Sequence, residues 1–317
     1  DTPLIYAASC AKCSDDGHVT YLDVTGAPGA QGNVLNKSTE DNVAWRAGLN
    51  FKLDQNALVY ANISRGYKGG DIPAITALVE SQLLPVRQEK VTAYEIGTKL
   101  RLFDGAMEIK GALFHYNYVD KQLQTNIDTF LGHAEATVNI PNSRVNGAEL
   151  ELTVRPVTGL TFHGGVGYTD TKIKEFTAFV VDSSPVWPPA PGFQQERLLD
   201  VSGQPFNLAP KWQVNADLQY EWELSDTMGA FAGASMSYSS NTTPFVGAAP
   251  AYDLKAHTLL DLRAGVSGED DKWRVFIFGK NVTNTLYYVG GIASFDDGGL
   301  YAGAPATYGI TGSIQFR

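Results

Sequence analysis

A chain of 317 residues with 34 acidic against 24 basic side chains, net charge −10, lacks the basic footprint that nucleic-acid binders need. The composition is 44% hydrophobic with 15 Tyr, 15 Phe and 32 Gly, yet no window approaches the roughly 18 consecutive apolar residues of a membrane helix. A mean hydropathy of −0.15 suits a soluble domain, and equally a transmembrane β-barrel whose lipid-facing and lumen-facing residues average out.

Taken in chain order, residues 1–40, in which Cys10 and Cys13 sit in a Gly/Asp/Ser-rich stretch, precede the first expected strand. Period-two alternation then predicts eleven strands, at about 41–53, 57–66, 88–103, 106–121, 142–156, 160–175, 206–224, 228–243, 254–268, 272–288 and 303–317. The pattern is clearest from Trp212 to Leu224. Trp212, Val214, Ala216, Leu218, Tyr220, Trp222 and Leu224 fall on one face, and Gln213, Asn215, Asp217, Gln219, Glu221 and Glu223 on the other. Similar sets recur: Tyr94, Ile96, Leu100 and Leu102 against Glu95, Lys99 and Arg101, and Ala148, Leu150, Leu152 and Val154 against Glu149, Glu151 and Arg155. Such strands need water beside one face and lipid or a core beside the other.

The connections alternate too. Short turns are expected at Asp54–Asn56, Asp104–Gly105, Thr158–Gly159, Ser225–Asp226 and Glu269–Asp271, and long loops at 67–87, 122–141, 176–205, 244–254 and 289–302. That rhythm is the one of an outer-membrane barrel, with tight periplasmic turns and long extracellular loops. The fold class is therefore all-β, a transmembrane antiparallel barrel. Eleven is half of the 22 strands found in plugged outer-membrane transporters, so residues 41–317 are expected to be one half of such a barrel and residues 1–40 an extracellular loop before it. The two edge strands, 41–53 and 303–317, are then expected at opposite ends of a curved sheet.

Six phrases carry a family resemblance. They are LVYANISRGYKGG (58–70), EKVTAYEIGTKLRLFDG (89–105), NSRVNGAELELTVRPVTGLTFHGGVGYTDTKI (142–173), NLAPKWQVNADLQYEW (207–222), WRVFIFGKNVTNTLYY (273–288) and TYGITGSIQF (307–316). Together and in this order they resemble the C-terminal barrel region of TonB-dependent receptors. The resemblance implies outer-membrane lipid around the barrel, an N-terminal plug domain in its lumen, and energy from the TonB complex acting through that plug. It also implies uptake of a scarce small solute or glycan, such as a ferric siderophore, cobalamin or an oligosaccharide. A passive porin or structural barrel is the alternative, and a soluble β-rich adhesin the third reading. A family chain usually ends on an aromatic residue; here Phe316 is penultimate to Arg317.

The candidate sites each admit two readings. Cys10 and Cys13, in an exported loop, point to a disulfide, with a thiol redox motif or a metal site as alternatives. Arg65, Tyr67 and Lys68, at the loop end of a strand, are either contacts for an anionic substrate or the plug, or rim charges beside a girdle tyrosine. Trp187 stands on a Pro-stiffened loop and either stacks on a ligand or packs its own loop. Asp296 and Asp297 form a weak calcium candidate without the ordered ligand spacing of a calcium loop, and a solvated turn accounts for them as well. The five histidines are scattered without metal spacing and no nucleophile has an identifiable base, so neither catalysis nor a cofactor is expected.

Overall fold

The computed structural model describes residues 4–7, 18–23, 31–35, 38–71, 77–79, 85–129, 132–181, 196–248, 250–268, 272–294 and 297–315. Eleven strands form one antiparallel sheet in which each pairs with its neighbours in sequence. They are β1 (Trp45–Lys52), β2 (Ala57–Lys68), β3 (Glu89–Leu102), β4 (Met107–Thr129), β5 (Gly132–Val154), β6 (Leu160–Glu175), β7 (Trp212–Ser225), β8 (Met228–Ser239), β9 (His257–Gly268), β10 (Trp273–Lys280) and β11 (Thr307–Ile314). The expected number and order of strands therefore stand. β1 and β11 lie at the two ends of the sheet and do not pair with each other among the described residues.

Local chemistry sets the turns of one rim. Between β1 and β2 the Asp54 carboxylate accepts from the Asn56 amide at 2.6 Å. Between β3 and β4, Phe103, Asp104 and Gly105 take positive φ values of 55°, 54° and 90° in a single 3₁₀ turn. Gly159 (φ 82°) and Thr158 close the link from β5 to β6. The expected turn at 269–271 lies outside the described residues. Chain reversal at every strand puts the long connections on the opposite rim.

Register defines the two faces. One row across the sheet runs Leu160, Tyr220, Ala232, Ala264, Ile277 and Ile310. Another runs Leu49, Ala61, Ile96, Leu113, Ala148, Tyr168 and Trp212. These residues share the outer face, on which large apolar groups are exposed: Leu113 is 61% exposed, Ile277 62% and Ile310 72%. Such a belt is stable only against lipid. The inner face carries Gln213, Asp217 and Gln219 as expected, together with Glu149 and Glu151.

The loop rim differs from expectation in several places. Residues 122–141 were expected as a loop, but β4 and β5 continue as a paired hairpin to Thr129 and Gly132. Asp120 takes a left-handed φ of 53°, the ladder continues in unchanged register from Val119–Asn142 to Lys121–Ile140, and β-favouring Thr125, Val138 and Ile140 sustain it. The strand expected over 272–288 stops at Lys280, because Asn281 and Asn284 take left-handed φ values of 47° and 50°. The segment expected as a loop at 289–302 is largely a hairpin, Tyr288–Ser294 with Asp297–Ala302. A smaller four-stranded sheet joins Leu4–Ala7, His18–Asp23 and Gln31–Leu35 to Ala77–Val79, which belongs to the connection between β2 and β3. The hairpin Thr177–Val181 with Glu196–Asp200 touches β4 at Asn126.

Asn281 is the pivot of the β10 stop. It is 4% exposed, its amide group donates to the Thr285 and Ala304 carbonyls at 3.0 and 3.1 Å, and its side-chain oxygen accepts from the Thr285 N–H at 2.9 Å. Its own N–H donates to Asp261 at 2.8 Å. Asn281→Ala leaves two carbonyls and one N–H without these partners, and urea titration of the folded protein in detergent should register a loss of about 1–2 kcal/mol.

Candidate functional site: the inner wall at the loop rim

The inner face is filled at the loop rim by an apolar cluster of Leu123, Ile140, Val145, Ile173, Val201, Phe206 and Val246. Strands supply the first four. The segment returning from β6 to β7 supplies Val201 and Phe206, and the Phe206 N–H is held by the Thr171 hydroxyl at 2.8 Å. Below this lid the inner side of β4 carries Phe114, Tyr116 and Tyr118 at period two. Phe114 and Tyr116 stack at 4.9 Å, and Tyr118 meets Phe206 edge-on at 6.3 Å.

Lys121 stands at the head of this ladder. Its ammonium lies 5.1 Å from the Tyr118 ring centre and 4.9 Å from that of Phe206. It pairs in register with Ile140, beyond the apolar belt on the loop side. Burial between the rings lowers its pKa from the ordinary lysine value; Glu89 opposes this shift and Lys68 adds to it. Beside it, the Gln122 amide group donates to the carbonyls of Gly69 and Arg87 at 2.7 and 3.1 Å, and its N–H donates to Glu89 at 2.8 Å. Asn139 donates to the Arg87 and Asp120 carbonyls at 2.9 and 2.8 Å. These bonds fix both ends of the connection between β2 and β3 to the projecting hairpin. The Gln122 Oε1 atom is buried with no protein partner.

A second polar station lies midway along the wall. Arg263 on β9 reaches over Gly233 on β8 to β7, where its fork meets the two Asp217 oxygens at 2.8 and 2.9 Å. It also donates to Gln219 at 2.9 Å and Ser235 at 2.8 Å. A Cβ at Gly233 would stand 2.7 Å from the guanidinium carbon, so glycine is what permits the crossing.

The structure separates the residues grouped by sequence. Lys68 lies on the inner face, in register with Glu89, whereas Arg65 and Tyr67 lie on the outer face. Arg65 packs over the Trp45 ring at 5.8 Å and donates to Thr92 at 3.3 Å. Cys10, Cys13, Trp187 and Asp296 lie outside the described residues, and Asp297 opens the second strand of the 288–302 hairpin. Lys121, Gln122 and Phe206 were not singled out by sequence. The alternating Phe114, Tyr116 and Tyr118 were the one readable sign of an aromatic inner wall.

An open antiparallel sheet with an apolar outer belt and a polar and aromatic inner wall defines a segment of a bacterial outer-membrane barrel. Residues 17–282 match the family described as TonB dependent receptor-like, beta-barrel, and the chain belongs to that family. Among solved structures it is similar to the ferric yersiniabactin uptake receptor FyuA of Yersinia pestis, with 16% identity and a TM-score of 0.70 over 95% of this chain and 41% of that one. It is also similar to the siderophore receptor PiuA of Acinetobacter baumannii, with 15% identity and a TM-score of 0.63 over 93% of this chain and 38% of that one. The ferric-catecholate import receptor Fiu of E. coli K12 gives 16% identity and a TM-score of 0.63 over 98% and 40%. The chain thus spans about two-fifths of the length of these proteins.

Proposed function

We propose that this chain is the C-terminal half of a receptor that imports a ferric siderophore across the outer membrane. A plug and the remaining strands would complete the barrel, and the TonB complex would drive transport through the plug. The observation that carries the substrate class is the mouth of the inner wall. There Lys121, between the Tyr118 and Phe206 rings, and the neighbouring Lys68 offer cations and aromatic faces together. Anionic iron chelates with aromatic groups are matched by that combination. The structural neighbours described as ferric-siderophore receptors support the same reading. Residues 1–40 would stand outside the cell, since their strands join Ala77–Val79 of a loop-rim connection. Cys10 and Cys13 would be joined there as a disulfide.

Uptake of radioactive iron by cells carrying the full-length receptor tests this. A ferric siderophore should enter only when TonB is present. Lys121→Ala should weaken its binding about tenfold, the loss expected for one desolvated cation–aromatic contact. Uptake that persists without TonB would establish a passive porin instead, and failure of every ferric chelate to bind would remove the substrate class.

A further inference from the structure

Above the apolar belt the outer face changes character. One register row across β2 to β6 reads Arg65, Thr92, Asn117, Arg144 and Lys172. The next row toward the loops begins Tyr67, Lys90, Val119 and Asn142. The row beneath reads Ile63, Tyr94, His115, Asn146 and Asp170. Asp170 and, across a register shift in β6, Glu175 opposite Asn142 are the carboxylates of these rows, and Lys211 engages Asp170 at 3.2 Å. In a chain of net charge −10, this band opposes Arg65, Lys90, Arg144, Lys172 and Lys211 to two acids, Asp170 and Glu175.

Arg144 and Lys172 stand directly opposite each other on adjacent strands. Like charges in that position destabilise a sheet. Among the described residues neither has an ion-pair partner to offset the repulsion, whereas Arg65 rests on Trp45 and Thr92. Their faces are fixed by their neighbours: Ser143 and Val145 flank Arg144 and are buried inward, as Thr171 and Ile173 are around Lys172.

Directly below, on the same outer face, lies a groove of about 560 Å³. Gly111, Ala148, Ile96, Leu113, Leu150 and Tyr168 are among the residues that line it. From Ala148 to Arg144 the strand climbs four residues, about 13 Å at the usual rise. Between them His115 and Asn146 are hydrogen-bonded at 2.6 Å, a polar step from groove to cations.

We propose that the outer face of β2 to β6 seats a phosphate-bearing, acylated lipid of the outer leaflet, with an acyl chain in the groove and its phosphate between Arg144 and Lys172. The short turns mark the periplasmic rim, so this band meets the outer leaflet. Apolar burial and charge attraction act together in such a site, and either alone holds a lipid weakly. The assignment rests on the barrel's place in the membrane and is independent of the solute carried.

The test uses the full-length receptor in mild detergent, titrated with dimyristoylphosphatidic acid or dimyristoylphosphatidylcholine and read by native mass spectrometry. The phosphatidic acid should be retained preferentially. Arg144→Gln with Lys172→Gln should cut that preference about 30-fold, the share of two interfacial cations. This variant also removes the like-charge repulsion, so it should remain folded, as checked by its migration on unheated gels. Ala148→Leu, which fills the groove, should weaken retention of both lipids. Equal retention of the two lipids by the unaltered receptor, or an unchanged preference in the double variant, would overturn the proposal. So would displacement of the phosphatidic acid by millimolar inorganic phosphate, which would reveal a free-anion site.

Discussion

Leu218→Arg should cost the folded barrel about 2–4 kcal/mol, the range for a basic residue on the lipid face near the bilayer midplane. Leu218 is central in β7, between Phe162 on β6 and Ala234 on β8, and is 46% exposed on the outer face. Asn215→Arg, three residues away, places the same group on the inner face opposite Gly165 and Ser237. Water is available there, so its cost should be a small fraction of the first. Urea unfolding of the full-length protein in lipid vesicles measures both. Equal penalties would mean that the faces are wrongly assigned.

Gly265→Val should be nearly as damaging, about 3 kcal/mol, at the upper end of overpacking costs. A Cβ at Gly265 would overlap both the Phe276 Cβ and the Val275 carbonyl oxygen, so part of the clash is with the backbone of β10 and no rotamer change removes it. Space on the inner face is set there by Phe276, which meets Phe231 at 5.9 Å. Gly167→Val is the matched control, since nothing lies within 4 Å of a Cβ at that position. Thermal unfolding in detergent should separate the two. Similar midpoints would show that β9 and β10 can part without loss.

What the sequence made legible was the portion that lies in the membrane. Between lipid and water every second residue is forced to a single character, and the run from Trp212 to Leu224 states its two faces outright. Outside the membrane that constraint lapses. Gln122 and Thr125 belong to a paired hairpin and are buried, but the carbonyls that satisfy Gln122, those of Gly69 and Arg87, come from a distant connection, so the polar segment looked like a loop. The stop after Lys280 was hidden for another reason. Alternation in VFIFGKNVTN continues through Asn281, and only its left-handed backbone and buried amide end the strand. The mouth site depended on distance in sequence: Phe206 meets Lys121 because a long connection folds back inside the sheet. Arg65 and Lys68 stand three residues apart, and strand parity sends them to opposite faces.

The neighbour-to-neighbour order of the eleven strands has a consequence for how the molecule is built. Each ladder from β1 to β11 closes a connection between strands adjacent in sequence, so contact order within the sheet is low and hairpins can add one at a time. The slow event is left to the margins. β1 and β11 each keep one side of their backbone unpaired within the described sheet, and in hydrocarbon those groups must find ladders elsewhere. Zipping is therefore local and fast, while closure is remote and late, and a chaperone guarding only the two margins would protect the nascent barrel from pairing with the wrong chain.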